Sequence, residues 1–596
     1  MCEKNSLNDF HAGRNGSLRL VLVICPLLVA LACNLPTWSG SSQTVKDTTV
    51  PIPALPTPNP SLPTGGESPL PPISPGTLSA IPAGSGTTYY IRPDGGTLEQ
   101  CTGLVDAAYP GSGQNQPCAW QHPFDALPPG GPSRLQGGDT LVIGAGSYMI
   151  GLNAPGASAN EACTADNPWD CTLAPLPSGP DENHPTRILG AGWDAGCPSP
   201  PELWGTQRSN YLVNLAGSSN VVVACLEITD HSGCVENHTG GLACQRDNPP
   251  YGDWAAYGLY AADSSHVLLQ NLNIHGLAAG GVHAGRLSDW RVENVRIVGN
   301  GSVGWEGDLW EGSSANTGDL IFRRLLIEWN GCGETYPGGQ PTGCWAQEVG
   351  GYGDGLGTAE TGGHWVFEDS VIQHNTQDGL DLLYTRLPDA SIEIRRSVFK
   401  GNAGNQVKAS GDLSIENSLL VGNCSFFVGK PFTYNVDTCR AGGNTLLTAP
   451  MRGDRTRVVN STLASQGDCL LTAECGLDGN CDGSESIILR NNIFLGFTEY
   501  LVPDELSCLV YQETIPGNPF DVDYSVISNV KDDQCPVGAH DICADPQFVN
   551  AILETFDAHL QAGSPAINAA DSSSALADDI EGKAMDAQPD IGAYER

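Results

Sequence analysis

Three aspartates and one lysine recur at a spacing that a periodic fold would gather into one site. The stretch NTQDGLDLLY (375–384) sets Asp378 and Asp381 around a glycine, beside Asn375 and Gln377. GYGDGL (351–356) carries Asp354 upstream, and GNQVKAS (404–410) carries Lys408 downstream. Taken singly, Asp378-Gly379 reads as a solvated turn, because Asp, Asn and Gly tolerate left-handed backbone and bond their own main chain. Taken together, three carboxylates and the Gln377 amide oxygen form a donor set for a hard cation, and calcium takes about six to eight such oxygens. A calcium ion would bridge an acidic protein to a uronate carboxylate and acidify the neighbouring C5 proton. A base could then remove that proton while the C4 glycosidic oxygen leaves by β-elimination. Lys408 is the candidate base, since a nearby divalent cation lowers a lysine pKa by disfavouring a second positive charge.

The elements that must position these residues are repeats. One template (apolar, two variable, small or apolar, variable, apolar) recurs as VENVRI (292–297), FRRLLI (322–327), FEDSVI (367–372), IRRSVF (394–399) and IENSLL (415–420), among others. Starts at 269, 292 and 322, and at 367, 394 and 415, differ by 23, 30, 27 and 21 residues. Turns with Asn or Gly follow, as in VGNG, EWNG, QHN and KGN. Short alternating strands at this period describe the coils of a solenoid, each burying its inward side chains only when stacked on neighbours. A Greek-key sandwich does not explain one template with variable insertions, and a leucine-rich repeat lacks its leucines and helical half. Asp354, Asp378 and Lys408 follow one another at 24 and 30 residues, about one coil each. Equivalent positions on stacked coils lie about 4.8 Å apart, so the three would line one groove.

Composition narrows the partners and the compartment. The 596 residues include 28 basic and 67 acidic side chains, a formal net charge of −39. A surface this acidic excludes nucleic acid as a partner. Arg14 and Arg19 precede the apolar run 20–32, which suits a signal-peptide core and is short for a membrane span. The following ALAC resembles a bacterial lipobox with Cys33 as the lipidated residue, although leucine is more usual where Ala30 stands. Residues 1–33 are thus expected to be an export signal, 34–86 a Pro-rich disordered linker and 87–596 the folded domain. The protein is expected at the cell surface or outside the cell, as a monomer, touching membrane only through the lipid. Setting Cys2, Cys25 and Cys33 aside leaves an even set of the 21 cysteines, which reads as disulfides. Close neighbours in sequence suggest loop staples: 101 with 118, 163 with 171, 234 with 244, 332 with 344, 424 with 439 and 535 with 543. A zinc site is the weaker alternative, because no CxxC pair or paired histidines accompany them.

With these features the chain resembles the right-handed parallel β-helix, pectate-lyase-like superfamily. The resemblance implies an all-β fold, a single-stranded right-handed parallel β-helix with disulfide-stapled loop insertions. YYIRPDGG (89–96) and GGDTLVIGAGSY (137–148) look like the family's opening strand and first coil, and 560–596 like its C-terminal ending. The region 350–410 is similar to the calcium-dependent pectate lyases of polysaccharide lyase family 9. That similarity implies Asp354, Asp378 and Asp381 as calcium ligands, Lys408 as catalytic base and an acidic polysaccharide as substrate. Gln377 stands where the family has an aspartate, which implies one anionic ligand fewer. Arg386 is a candidate substrate-binding cation, or the base of other β-helix lyases. Trp365 is a candidate sugar platform, as are Trp305, Trp310, Trp329 and Trp345, the alternative for any one of them being that it packs a loop on the helix body. A glycoside hydrolase built on Asp378 with Asp381, or on Glu306 with Asp308, is an alternative. So is a non-catalytic glycan-binding or adhesion protein.

Overall fold

In the computed structural model the described residues are 78–596, except 239–240, 310–313, 346–352, 431–438 and 532–533. Residues 1–33, the expected export signal with Cys33, and 34–77 of the Pro-rich segment lie outside the described residues. The described chain is a right-handed parallel β-helix whose strands hydrogen-bond in parallel from coil to coil into one wound sheet with three faces. Its opening strand, Thr88–Gly96, pairs in parallel with Thr140–Ile143.

The repeat template explains each coil. Its first and last positions point inward: Val292, Phe322, Phe367, Ile394 and Ile415 are at most 1% exposed. Its third position turns the chain through left-handed backbone, at Asn294 (φ 53°), Asp369 (φ 52°) and Asn417 (φ 46°). Asn and Asp adopt that region at modest cost; Arg324 and Arg396 take it as well. Its fourth position supplies a serine ladder, in which Ser370 N–H donates to Ser397 Oγ and Ser397 N–H to Ser418 Oγ, both at 3.2 Å.

The Asn turns form a second, buried ladder. Asn300 Nδ2 donates to Asn330 Oδ1, Asn330 Nδ2 to Asn375 Oδ1 and Asn375 Nδ2 to Asn402 Oδ1, each at 2.9 Å. An amide left unpaired here would cost about 1–3 kcal/mol, so each rung favours keeping its neighbours in register. Asn375 thereby fixes the turn that holds Gln377 and Asp378.

Aromatic packing fills the core at the same level. Trp290, Trp305, Phe322, Trp365 and Phe367 interlock, with Phe322 stacked on Trp365 at 5.8 Å and on Phe367 at 4.9 Å. The C-terminal segment doubles back over one face, where Gly592 N–H donates to Asn491 O and Ala593 N–H to Thr462 Oγ1. The last residues of the Pro-rich segment also lie on the body. Ser79 N–H and Oγ–H each donate to the buried Glu293 carboxylate at 2.7 Å, and Arg187 Nη1–H donates to Pro82 O at 3.0 Å. Together with Ile81, which packs against Leu189, Val222, Ala224 and Leu268, these contacts hold 79–82 on the body.

All six locally expected disulfides are present. Three more join Cys197 to Cys225, Cys469 to Cys508 and Cys475 to Cys481. Every described cysteine is therefore paired and no thiolate remains for zinc. Nine bridges of this kind belong to an extracellular or otherwise oxidising compartment.

Candidate active site

One face of the β-helix carries a row of outward positions in strict register. Glu306 pairs with Gly357, Gly357 with Asp381 and Asp381 with Lys408. Their chain neighbours Trp305, Leu356, Leu380 and Val407 are at most 1% exposed, so side-chain alternation turns the row itself outward. A second row comes from the turns just before these strands. There Asp378 N–H donates to Asp354 Oδ1 at 2.9 Å, and Asn405 donates from N and Nδ2 to Asp378 Oδ1 at 2.6 and 3.1 Å.

The two rows meet at Lys408. Its Nζ donates to Asp381 Oδ2 at 2.8 Å and to Asp378 Oδ2 at 3.3 Å, across 27 and 30 residues of sequence. Gly357 makes room for the third carboxylate: a Cβ there would lie 3.1 Å from Asp354 Oδ2 and 3.8 Å from Asp381 Cβ. Asp354, Gln377, Asp378, Asp381, Arg386 and Lys408 all line a single cleft of about 470 Å³. Six carboxylates (Glu306, Asp308, Asp354, Glu360, Asp378 and Asp381) face three cations in it (Arg386, Lys408 and Arg440).

Burial in this acidic setting shifts protonation. Burial first, then the neighbouring Asp378 and Asp381, push the Asp354 carboxyl well above the usual carboxylate range. Burial also raises Asp381. Burial lowers Lys408, but Asp378 and Asp381 outweigh it and hold the ammonium form above the ordinary lysine value. Arg386 pairs with Glu360 at 3.3 Å, and its Nε, like the Thr358 hydroxyl of the same lining, is buried without a partner among the described residues.

The donor set suits a hard divalent cation. Asp354 Oδ1, Asp378 Oδ1 and Asp381 Oδ1 each accept from N–H donors, so a cation would draw on the three Oδ2 atoms, with Gln377 in the same lining. Lys408 provides the positive charge for two of those oxygens here.

Trp365 is not a sugar platform. It is fully buried, two residues before Phe367 on the same inward parity, and its indole N–H donates to Gly362 O at 3.0 Å. Trp305 is likewise core. Trp329 packs on His374 and Phe426, Trp345 packs on His238, and Trp310 lies outside the described residues. The aromatic ring of the lining is instead Tyr384, 40% exposed, with Arg386 6.0 Å from its centroid. Sequence reasoning also missed Asn405, which fixes Asp378, and Arg440, which follows a disulfide-closed insertion with no repeat template around it.

No protein-family model and no curated protein matches this chain. Among solved structures it is similar to the pectate lyase Pel9A, at 16% identity and TM-score 0.39, over 86% of this chain and 97% of that one. An alginate lyase from Paenibacillus sp. str. FPU-7 is 13% identical with TM-score 0.30, over 64% of this chain and 94% of that one. XylC, solved in complex with xylose, is 8% identical with TM-score 0.40, over 85% and 98%. Values this low say nothing about what this chain binds; its architecture rests on its own strand registers.

Proposed function

We propose that the chain is an exported lyase that cleaves a uronate-containing polysaccharide by β-elimination in the cleft around Lys408. The observation that carries this reading is the convergence of Asp354, Asp378, Asp381 and Lys408 from successive coils into one cleft. An excess of carboxylates there would repel an acidic glycan unless a cation intervened. Asp354, Asp378 and Asp381, helped by Gln377, would hold calcium, which when bound neutralises the substrate carboxylate and acidifies C5–H. Lys408 takes the C5 proton at Nζ. It can do so only as the free amine, and Asp378 and Asp381 are what keep it protonated in the resting arrangement. With those ion pairs relieved, burial alone pushes Lys408 down toward the range of a base. Arg386 and Tyr384 orient the sugar from the cleft wall.

The deciding measurement is absorbance at about 235 nm from the unsaturated product, on polygalacturonate and on alginate, with calcium and with chelator. Reducing ends released without that absorbance would replace elimination by hydrolysis. One feature supports a second reading, a glycan-binding protein without turnover: Lys408 is already saturated by two carboxylates. Calcium-dependent retention on a polyuronate column with no product would establish that reading instead.

A further inference from the structure

Resting on the elimination proposed above, we infer that Glu306 is the catalytic acid that protonates the glycosidic oxygen as it leaves. Elimination moves two protons, one off C5 and one onto the departing oxygen, and Lys408 accounts only for the first. Glu306 occupies the same outward row as Asp381 and Lys408, two rungs from Asp381, at about 4.8 Å per rung. Gly357, the rung between, contributes no side chain. A sugar lying over that rung meets Lys408 and Asp381 toward one end and Glu306 toward the other. Trp305, the residue before it, is locked in the core, so Glu306 is directed to the cleft it lines.

The setting of the carboxyl matches the task. Asp308 N–H donates to Glu306 Oε1 at 3.0 Å, and Oε2 accepts no hydrogen bond among the described residues. No lysine or arginine forms an ion pair with Glu306 among the described residues, whereas Asp378 and Asp381 both hold Lys408. Burial, offset by the Asp308 N–H and reinforced by the Asp308 charge, raises the Glu306 carboxyl to about 7. A carboxylic acid of that strength is protonated in about half of the molecules at neutral pH and can give that proton to an alkoxide leaving group.

The step balances. The Lys408 amine takes the C5 hydrogen as a proton, and the C5–H electrons become the C4=C5 double bond. The C4–O bond breaks with its electron pair on oxygen, and that oxygen takes the Glu306 proton. The products are an unsaturated uronide and a free hydroxyl at the new chain end, after which water reprotonates Glu306 and accepts the Lys408 proton.

The test compares wild type with Glu306→Gln in the full protein with calcium, on a polyuronate and on a uronide bearing fluoride at C4. Fluoride leaves without a proton, so the variant should lose about a hundredfold or more on the polymer and stay near wild type on the fluoride. Glu306→Asp, which keeps an acid at the position, should recover part of the polymer rate, and thermal melting checks that each variant is folded. Equal losses on both substrates, or no loss on the polymer, would overturn the assignment. If wild type itself yields no unsaturated product from either substrate, the elimination reading falls and the assignment with it. A defect confined to the variant bears on Glu306 alone.

Discussion

Lys408 Nζ lies 2.8 Å from Asp381 Oδ2, its register partner on the preceding coil, and both residues belong to the outward row of one face. The lysine and any cation bound by the site thus draw on the same carboxylate oxygens.

Lys408→Ala should lower elimination by about 10²–10⁴-fold, the usual contribution of a positioned base. The same variant should bind calcium at least as tightly as wild type, because the ammonium no longer neutralises Asp378 and Asp381. Initial rates near 235 nm and calorimetric titration read the two effects separately. Weaker calcium binding in the variant would rule out the competition.

Gln377→Asp adds a carboxylate to the cleft beside Asp378. Calcium affinity should rise by about tenfold, since charge count tunes such sites. In chelator the variant should melt below wild type, because like charges then crowd without a counter-ion, and calcium should reverse the order. Melting curves with calcium and with chelator decide it.

Trp365→Ala should cost about 3–5 kcal/mol in a urea melt, the range for emptying a buried aromatic site. Tyr384, 40% exposed and lining the cleft, should behave in the opposite way. Tyr384→Ala should raise KM with little change in melting temperature. A KM effect from Trp365 without destabilisation would contradict its place in the core.

His275 supplies a pH signature away from the cleft. Its Nε2 lies 3.0 Å from Glu227 Oε1 and its Nδ1 3.1 Å from Glu334 Oε1, so both ring nitrogens donate and the imidazolium is favoured. Burial opposes the charge, but the two glutamates outweigh it and raise the pKa to about 9. A histidine raised in the folded state stabilises fully below its unfolded pKa of about 6.5, and that contribution disappears as pH rises through about 9. Melting temperature should therefore fall across this window in wild type and fall less in His275→Gln.

Much of the site could be read in the sequence because a solenoid converts sequence period into a fixed spatial step. Asp354 and Asp378 share a coil phase, Lys408 is in register with Asp381 three residues on, and all four line one cleft. Trp365 follows strand parity rather than loop context: in HWVFED, Trp365 and Phe367 share the inward phase. Cys197 with Cys225 and Cys469 with Cys508 span 28 and 39 residues, closer to a coil than to a local staple, so proximity in sequence could not pair them. Proline-rich composition marked 78–86 as having no core but carried no sign of the Ser79–Glu293 bonds, which depend on a partner 214 residues away.

The buried amide ladder through Asn300, Asn330, Asn375 and Asn402 works as an index rail. It registers one corner of these four successive coils independently of how long the excursion between them is. Loops elsewhere on the circumference can lengthen, shorten or acquire a disulfide while the offset between Asp378 and Lys408 holds. Variation in the loops is thereby separated from the spacing of the residues that line the cleft.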